Sequence, residues 1–119
     1  MFAHPPRPDT AGAAEETMDP NRTVNVAVQV LPLVEELHDV VDRAIAVIQA
    51  SGVRYEVGPM ETVMEGPLDR LLDVAKAAHL ACFEAGAEKV VTIIKIGDRV
   101  EGTTMAEKVG KYRAVQATG

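Results

Sequence analysis

The sequence predicts an α+β fold of the ferredoxin-like type: a βαββαβ chain forming a four-stranded antiparallel sheet, two helices on one face and a short C-terminal helix. Three observations predict it. Thr23 to Pro32 alternates between apolar and mixed positions with the period of a strand. Two longer segments, one from about Leu37 to Gly52 and one from Gly66 to Gly86, repeat apolar residues with the period of a helix. Between them Arg54 to Gly66 reads RYEVGPMETVMEG, two short strand-like runs separated by Gly-Pro and leading straight into a proline. Helices in the two crossover positions, joined by right-handed connections, then fall on the same side of the sheet.

The elements follow in order. Met1 to Arg22 is rich in Pro, Ala, Asp, Glu and Thr with no periodicity, and is expected to be a disordered tail. Its Pro5 to Pro8 cluster reads as stiff coil, and Met18 is read as an alternative translation start. In the first strand Val24, Val26, Val28 and Val30 share one face, while Asn25, Ala27, Gln29 and Leu31 share the other. The first helix carries Leu37, Val41, Ala44 and Ile48, supported by Val40 and Ile45, and Gly52 caps its end. Strands are expected at Val53 to Val57 and Met60 to Glu65. The second helix opens at Gly66-Pro67 with Asp69 in its first turn. Its buried stripe is predicted as Leu68, Leu71, Leu72, Ala75, Ala78, His79 and Cys82, with Leu80 breaking the polar side. The last strand runs from Lys89 to Arg99, a short helix is expected around Met105 to Tyr112, and residues 114–119 are expected to be disordered.

Composition limits the function classes. A chain of 119 residues makes one domain with one modest core, placed here at residues 23–113. The only aromatic residues are Phe2, Tyr55, Phe83 and Tyr112, and the formal charge is −6, so neither base stacking nor phosphate attraction favours nucleic acid. Cys82 is the single cysteine, which excludes an intramolecular disulfide and reads as a small buried hydrophobe. No window approaches the roughly 20 apolar residues of a membrane span, and no signal-peptide pattern opens the chain, so a cytoplasmic protein is expected. His4, His38 and His79 lie on different predicted elements without partners at ligand spacing, and no metal or cofactor is expected. The face carrying Ala27, Leu31, Val91 and Ile93 beside Asn25, Gln29 and Lys95 is too apolar to remain bare, and is expected to pack against a second copy of the chain.

Four segments, in order, carry a family likeness: the strand into Leu31-Pro32, the block VRYEVGPMETVMEG, the helix piece AKAAHLACFEAGAEKVV, and TIIKIGDR followed by TMAEKVGKY. Over about Thr23 to Tyr112 the chain resembles the small YkoF-like thiamine-binding proteins. The resemblance implies a non-catalytic protein whose sheets pair face to face, as a dimer or tetramer, with a pocket for thiamine or its hydroxymethylpyrimidine portion. Two positions depart from the family pattern: Glu61 stands where a small Gly is typical, and Ile93 where Thr is common.

An aminopyrimidine offers ring nitrogens that accept and an exocyclic amine that donates, so its pocket needs a carboxylate or amide beside apolar walls. Glu65 matches the family's Glu before Gly and is the leading carboxylate; its other reading is a strand-end charge, solvated or paired with Lys95 or Arg99. Thr62 lies in the same block. Asn25, Gln29 and Lys95 share the open face, and polar groups there need a ligand or a neighbouring subunit. In a thiamine complex Lys95 is expected on a carboxylate or phosphate-like group. Met64 and Met60 line a pocket or fill the core, and His79 reads as a hydrogen-bonded core histidine or as a ligand-binding one. An acylphosphatase-like hydrolase would want a glycine-rich anion loop beside an Arg, and Val57 to Met60 supplies only Gly58 and a proline. The remaining alternative is a structural or regulatory oligomerisation module that binds no thiamine.

Overall fold

A computed structural model of the chain describes residues 18–33, 37–102, 104 and 105. The expected tail up to Thr17 and the C-terminal helix beyond Met105 lie outside the described residues, as do residues 114–119. The elements are β1 (Thr23–Pro32), α1 (Leu37–Ala50), β2 (Arg54–Val57), β3 (Thr62–Pro67), α2 (Leu68–Glu84) and β4 (Val90–Gly97). The sheet order is β2-β3-β1-β4 with every pair antiparallel, which is the predicted ferredoxin-like arrangement.

The core lies between the sheet and the helices. Val24, Val26 and Val28 of β1, with Met64 of β3, meet Val40, Ala44 and Ile48 of α1 and Leu71, Val74, Ala75, Ala78 and Cys82 of α2. Directly paired residues of antiparallel strands point to the same face, so the register Val26↔Met64 and Val28↔Thr62 sets which side chains enter this core. Gly52, with φ at +83°, ends α1 in the left-handed conformation its position called for.

Three local readings are corrected. Val74 and Ala81 are buried and were not placed on the α2 stripe, whereas Leu72 and His79 are only half-buried. The reason is that α2 packs on α1 as well as on the sheet, and so buries a wider arc than one stripe. The hairpin strands are Arg54–Val57 and Thr62–Pro67 rather than Val53 to Val57 and Met60 to Glu65. The Gly58 amide donates to the Glu61 carbonyl at 2.9 Å, closing a turn that delays β3. Pro67 is extended, with φ −67° and ψ 140°, and precedes the helix rather than forming its first turn. It ends β3 opposite Thr23, a strand terminus where the missing N–H is tolerated.

The stretch after β4 is tied back to the start of β1. Arg22 donates from Nε to Asp98 Oδ1 at 2.8 Å, and its second guanidinium nitrogen bonds the other carboxylate oxygen. Hydrogen bonds from Arg22, and then its charge, hold the Asp98 carboxyl below the usual carboxylate range. This clasp therefore contributes stability above the unfolded carboxylate pKa of about 4, and the contribution is lost as pH falls through the lowered folded value. Asp98→Asn is expected to lower the thermal midpoint by a few degrees or less at pH 7, with the difference from wild type shrinking as pH falls below the ordinary carboxylate range of about 4. Scanning calorimetry across that range checks both parts.

Candidate functional site

The site begins with a mismatch of strand lengths. β1 pairs with β4 from Asn25 to Pro32, but with β3 only from Thr23 to Val28. Beyond Val28 the β3 side of β1 faces a notch instead of a strand, because the chain has already turned through Gly58 to Glu61. The turn is tight enough to leave little room for a side chain at its first residue: a Cβ on Gly58 would sit 3.0 Å from the Glu61 carbonyl oxygen. A cavity of about 110 Å³ occupies the notch, walled by Val28, Val30, Val41, Ile45, Val57 and Met60. Its polar contributors are Gln29, Thr62 and Glu61.

These walls explain a detail of α1. Val41 and Ile45, expected within the buried stripe, are only half-buried, because they border the cavity rather than side chains of β3. Thr62 is buried at the cavity, and its position opposite Val28 turns it to the helix side of the sheet. Glu61, one residue earlier, belongs to the opposite face by alternation. There its carboxylate meets Lys95 Nζ at 2.7 Å. Lys95 is paired with Ala27, so a small side chain lies on the strand that separates the two charges. Lys95 is thus held by a carboxylate contributed by the chain itself.

A second polar group gathers at the other end of the same sheet face. Asn25 stands opposite Glu65, and Asn25 is 4% exposed with neither its Nδ2 nor its Oδ1 paired among the described residues. The Glu65 carboxylate accepts from the Met105 amide at 2.8 Å and pairs with Arg54 at 3.3 Å. Its partner is therefore Arg54, the β2 residue directly across from it, and not Lys95 or Arg99. Both of its oxygens already have a protein contact.

The six predicted site residues consequently do not form one cluster. Gln29 and Thr62 both border the notch but belong to opposite sheet faces, Lys95 pairs with Glu61 on the open face, and Asn25 with Glu65 lies near the start of β1. Met64 is fully buried in the core. Sequence reading named Met60 as a pocket residue and missed Val41, Ile45 and Val57 to Pro59 as pocket walls. The one available signal was the Gly58-Pro59 break, which shortens the hairpin relative to the ten-residue β1. His79 joins neither group: its Nδ1 lies 2.6 Å from Thr92 Oγ1, and its ring meets Phe83 edge to face at 5.5 Å, so it ties α2 to β4. Burial pushes the Cys82 thiol up, in keeping with a packed side chain. Among the described residues no three His, Cys, Asp or Glu side chains are grouped to hold a metal ion, and no helix is long and apolar enough to cross a membrane.

Comparison with known proteins gives a consistent result. The sequence model described as thiamine-binding protein matches residues 26–113. A UPF0045 protein of Clostridium perfringens is 52% identical over 93 residues, covering 76% of this chain and 98% of the relative. Among solved structures, a Bacillus cereus domain of unknown function is 53% identical with a TM-score of 0.75, covering 78% of this chain and 92% of that one. A Thermotoga maritima protein assigned provisionally to thiamine biosynthesis or salvage is 40% identical with a TM-score of 0.71, covering 76% and 99%.

The unpaired Asn25 amide gives a direct expectation for stability. A buried amide without partners costs about 1–3 kcal/mol relative to an apolar group of the same shape. Asn25→Leu is therefore expected to raise the urea midpoint, by roughly 1 kcal/mol of stability; a lowered midpoint would show that the amide is satisfied in the folded protein.

Proposed function

The chain belongs to the thiamine-binding protein family, and from that premise we propose that it is a cytoplasmic, non-catalytic binding protein for thiamine or its hydroxymethylpyrimidine moiety, with the notch as its pocket. The observation that carries this reading is the notch itself. Its volume of about 110 Å³ is of the same order as the roughly 150 Å³ cavity that accepts a benzene ring. Met60, at 73% exposure, is free to swing outward and supply the remainder. Apolar walls take the faces of a flat ring, and the Thr62 hydroxyl, on the same side of the sheet as Val28, is the side-chain donor and acceptor that reads its nitrogen edge. On this reading recognition sits at the start of β3 rather than around Glu65, whose oxygens are engaged by Arg54 and the Met105 amide.

Self-association is part of the proposal. Leu31, Val91 and Ile93 lie together on the sheet face away from the helices, each more than a third exposed. An apolar group of this kind on an uncovered sheet supports packing against a second copy, to a dimer or tetramer. The enzyme reading gains no support, because the family is one of binding proteins and nothing gathered at the notch pairs a nucleophile with a base.

Isothermal titration calorimetry is expected to show saturable micromolar binding of thiamine or hydroxymethylpyrimidine to wild type. Thr62→Val, which removes one hydrogen bond and keeps the shape, is expected to weaken binding about three- to tenfold. Silence from both ligands in a folded, assembled protein would favour an oligomerisation module without thiamine binding. Light scattering at micromolar concentration is expected to give at least the dimer mass, and a stable monomer would overturn the packing reading.

A further inference from the structure

We infer that the C-terminal segment from Met105 to Tyr112 docks on the open face of its own sheet, over Asn25, with the Glu65 carboxylate as the latch that holds its first residue. The inference concerns the face away from the helices and stands whatever the notch binds. Four observations carry it.

The first is a gradient of burial. Both helices pack on the Val24, Val26 and Val28 side of β1, so Asn25, Ala27, Gln29 and Leu31 point away from them. Along that row exposure rises from 4% at Asn25 through 9% at Ala27 to 37% at Leu31. The cross-strand neighbours of Asn25 are Glu65 and Gly97, and a glycine has no side chain with which to cover it. One end of this face is therefore shielded by more than the sheet itself, and the other end is not.

The second and third observations bring the segment to the shielded end. Beyond β4 the Gly102 amide donates to the Arg99 carbonyl at 2.9 Å and turns the chain back. A Cβ on Gly102 would lie 3.3 Å from the Thr23 carbonyl oxygen, so the returning chain runs against the first residue of β1, two positions from Asn25. The Met105 amide then donates to Glu65 Oε1 at 2.8 Å, and Met105 is itself buried. Glu65 is the β3 residue opposite Asn25, and Arg54 holds its other oxygen, so a charged acceptor is fixed beside Asn25 for that amide.

The fourth lies in the sequence. MAEKVGKY puts Met105, Val109 and Tyr112 at i, i+4 and i+7, which is one apolar stripe of a helix. At ~1.5 Å per residue, the stretch from Met105 to Tyr112 reaches about 10 Å, or two strand spacings of ~4.8 Å. That is enough to pass from β3 over β1 toward β4 without leaving its own sheet. The segment thus narrows the face left for a second copy to the end that carries Leu31, Val91 and Ile93.

Tryptic proteolysis of the full chain reads the docking, because cleavage after Lys108 and Lys111 follows the population in which the segment has left the sheet. Both bonds are expected to be cut about a hundredfold more slowly in wild type than in a synthetic peptide of residues 104–119, at about 1 and 100 μM protein alike. Glu65→Ala removes the acceptor, and Met105→Pro removes the donor without altering the sheet. Each is expected to speed cleavage at both lysines about tenfold. Arg54→Gln, which takes away only the ion pair, is expected to change it less than about threefold. Cleavage after Lys76 and Lys89, inside the folded domain, is expected to stay at the wild-type rate in Met105→Pro.

Wild-type cleavage at the rate of the free peptide would overturn the docking. Protection lost on dilution would assign the segment to a second copy and overturn docking on its own sheet. Protection that Met105→Pro leaves unchanged would overturn the latch, and that variant decides the matter even if Glu65→Ala unfolds the whole domain.

Discussion

β1 is paired along both edges only as far as Val28, and most of what distinguishes this molecule follows from where that double pairing stops. Up to Val28 the strand is the sheet's interior, and its valines contact both helices through the core. Past Val28 it is supported by β4 alone, and the missing neighbour leaves a hollow between strand, hairpin turn and α1. A longer hairpin would fill that hollow with a paired strand and with side chains facing Val41 and Ile45. The short one, closed by the Gly58 to Glu61 hydrogen bond, leaves an apolar cavity in a domain too small to hold many. The same turn places Thr62 and Glu61 on opposite faces at one mouth, a hydroxyl inward and a carboxylate outward.

Much of the fold was legible because it depends on local rules. The alternation TVNVAVQVLP identifies a strand whatever surrounds it, and Gly52 ends a helix for reasons of its own backbone. The wider buried arc of α2 was not legible, since the burial of Val74 and Ala81 depends on α1 lying alongside. Strand ends were read less well than strand cores, because a turn hydrogen bond and an extended proline decide them, and neither has a periodic signature.

The site was legible residue by residue and not as an arrangement. Glu65, Asn25, Gln29, Thr62 and Lys95 were each marked as polar groups in strands, but which of them meet depends on the register across three strands. The pairing Asn25↔Glu65↔Arg54 fixes one group and Val28↔Thr62 the other. Glu61 was visible only as a departure from a family pattern. Its carboxylate is paired with Lys95 of β4, far along the chain and across the central strand.

Among the described residues β4 is a sheet edge, and it is an unusual one: Val91, Ile93, Ile94 and Ile96 are all more than 40% exposed, so both of its faces are apolar. Edges of this kind template the addition of further strands unless something interrupts them. Lys95 is the one charge within the strand, and so acts as a gatekeeper against aggregation. The residue that pairs with Glu61 is thus also the one charge of an apolar edge strand, and the two demands on one side chain limit how freely that position can vary.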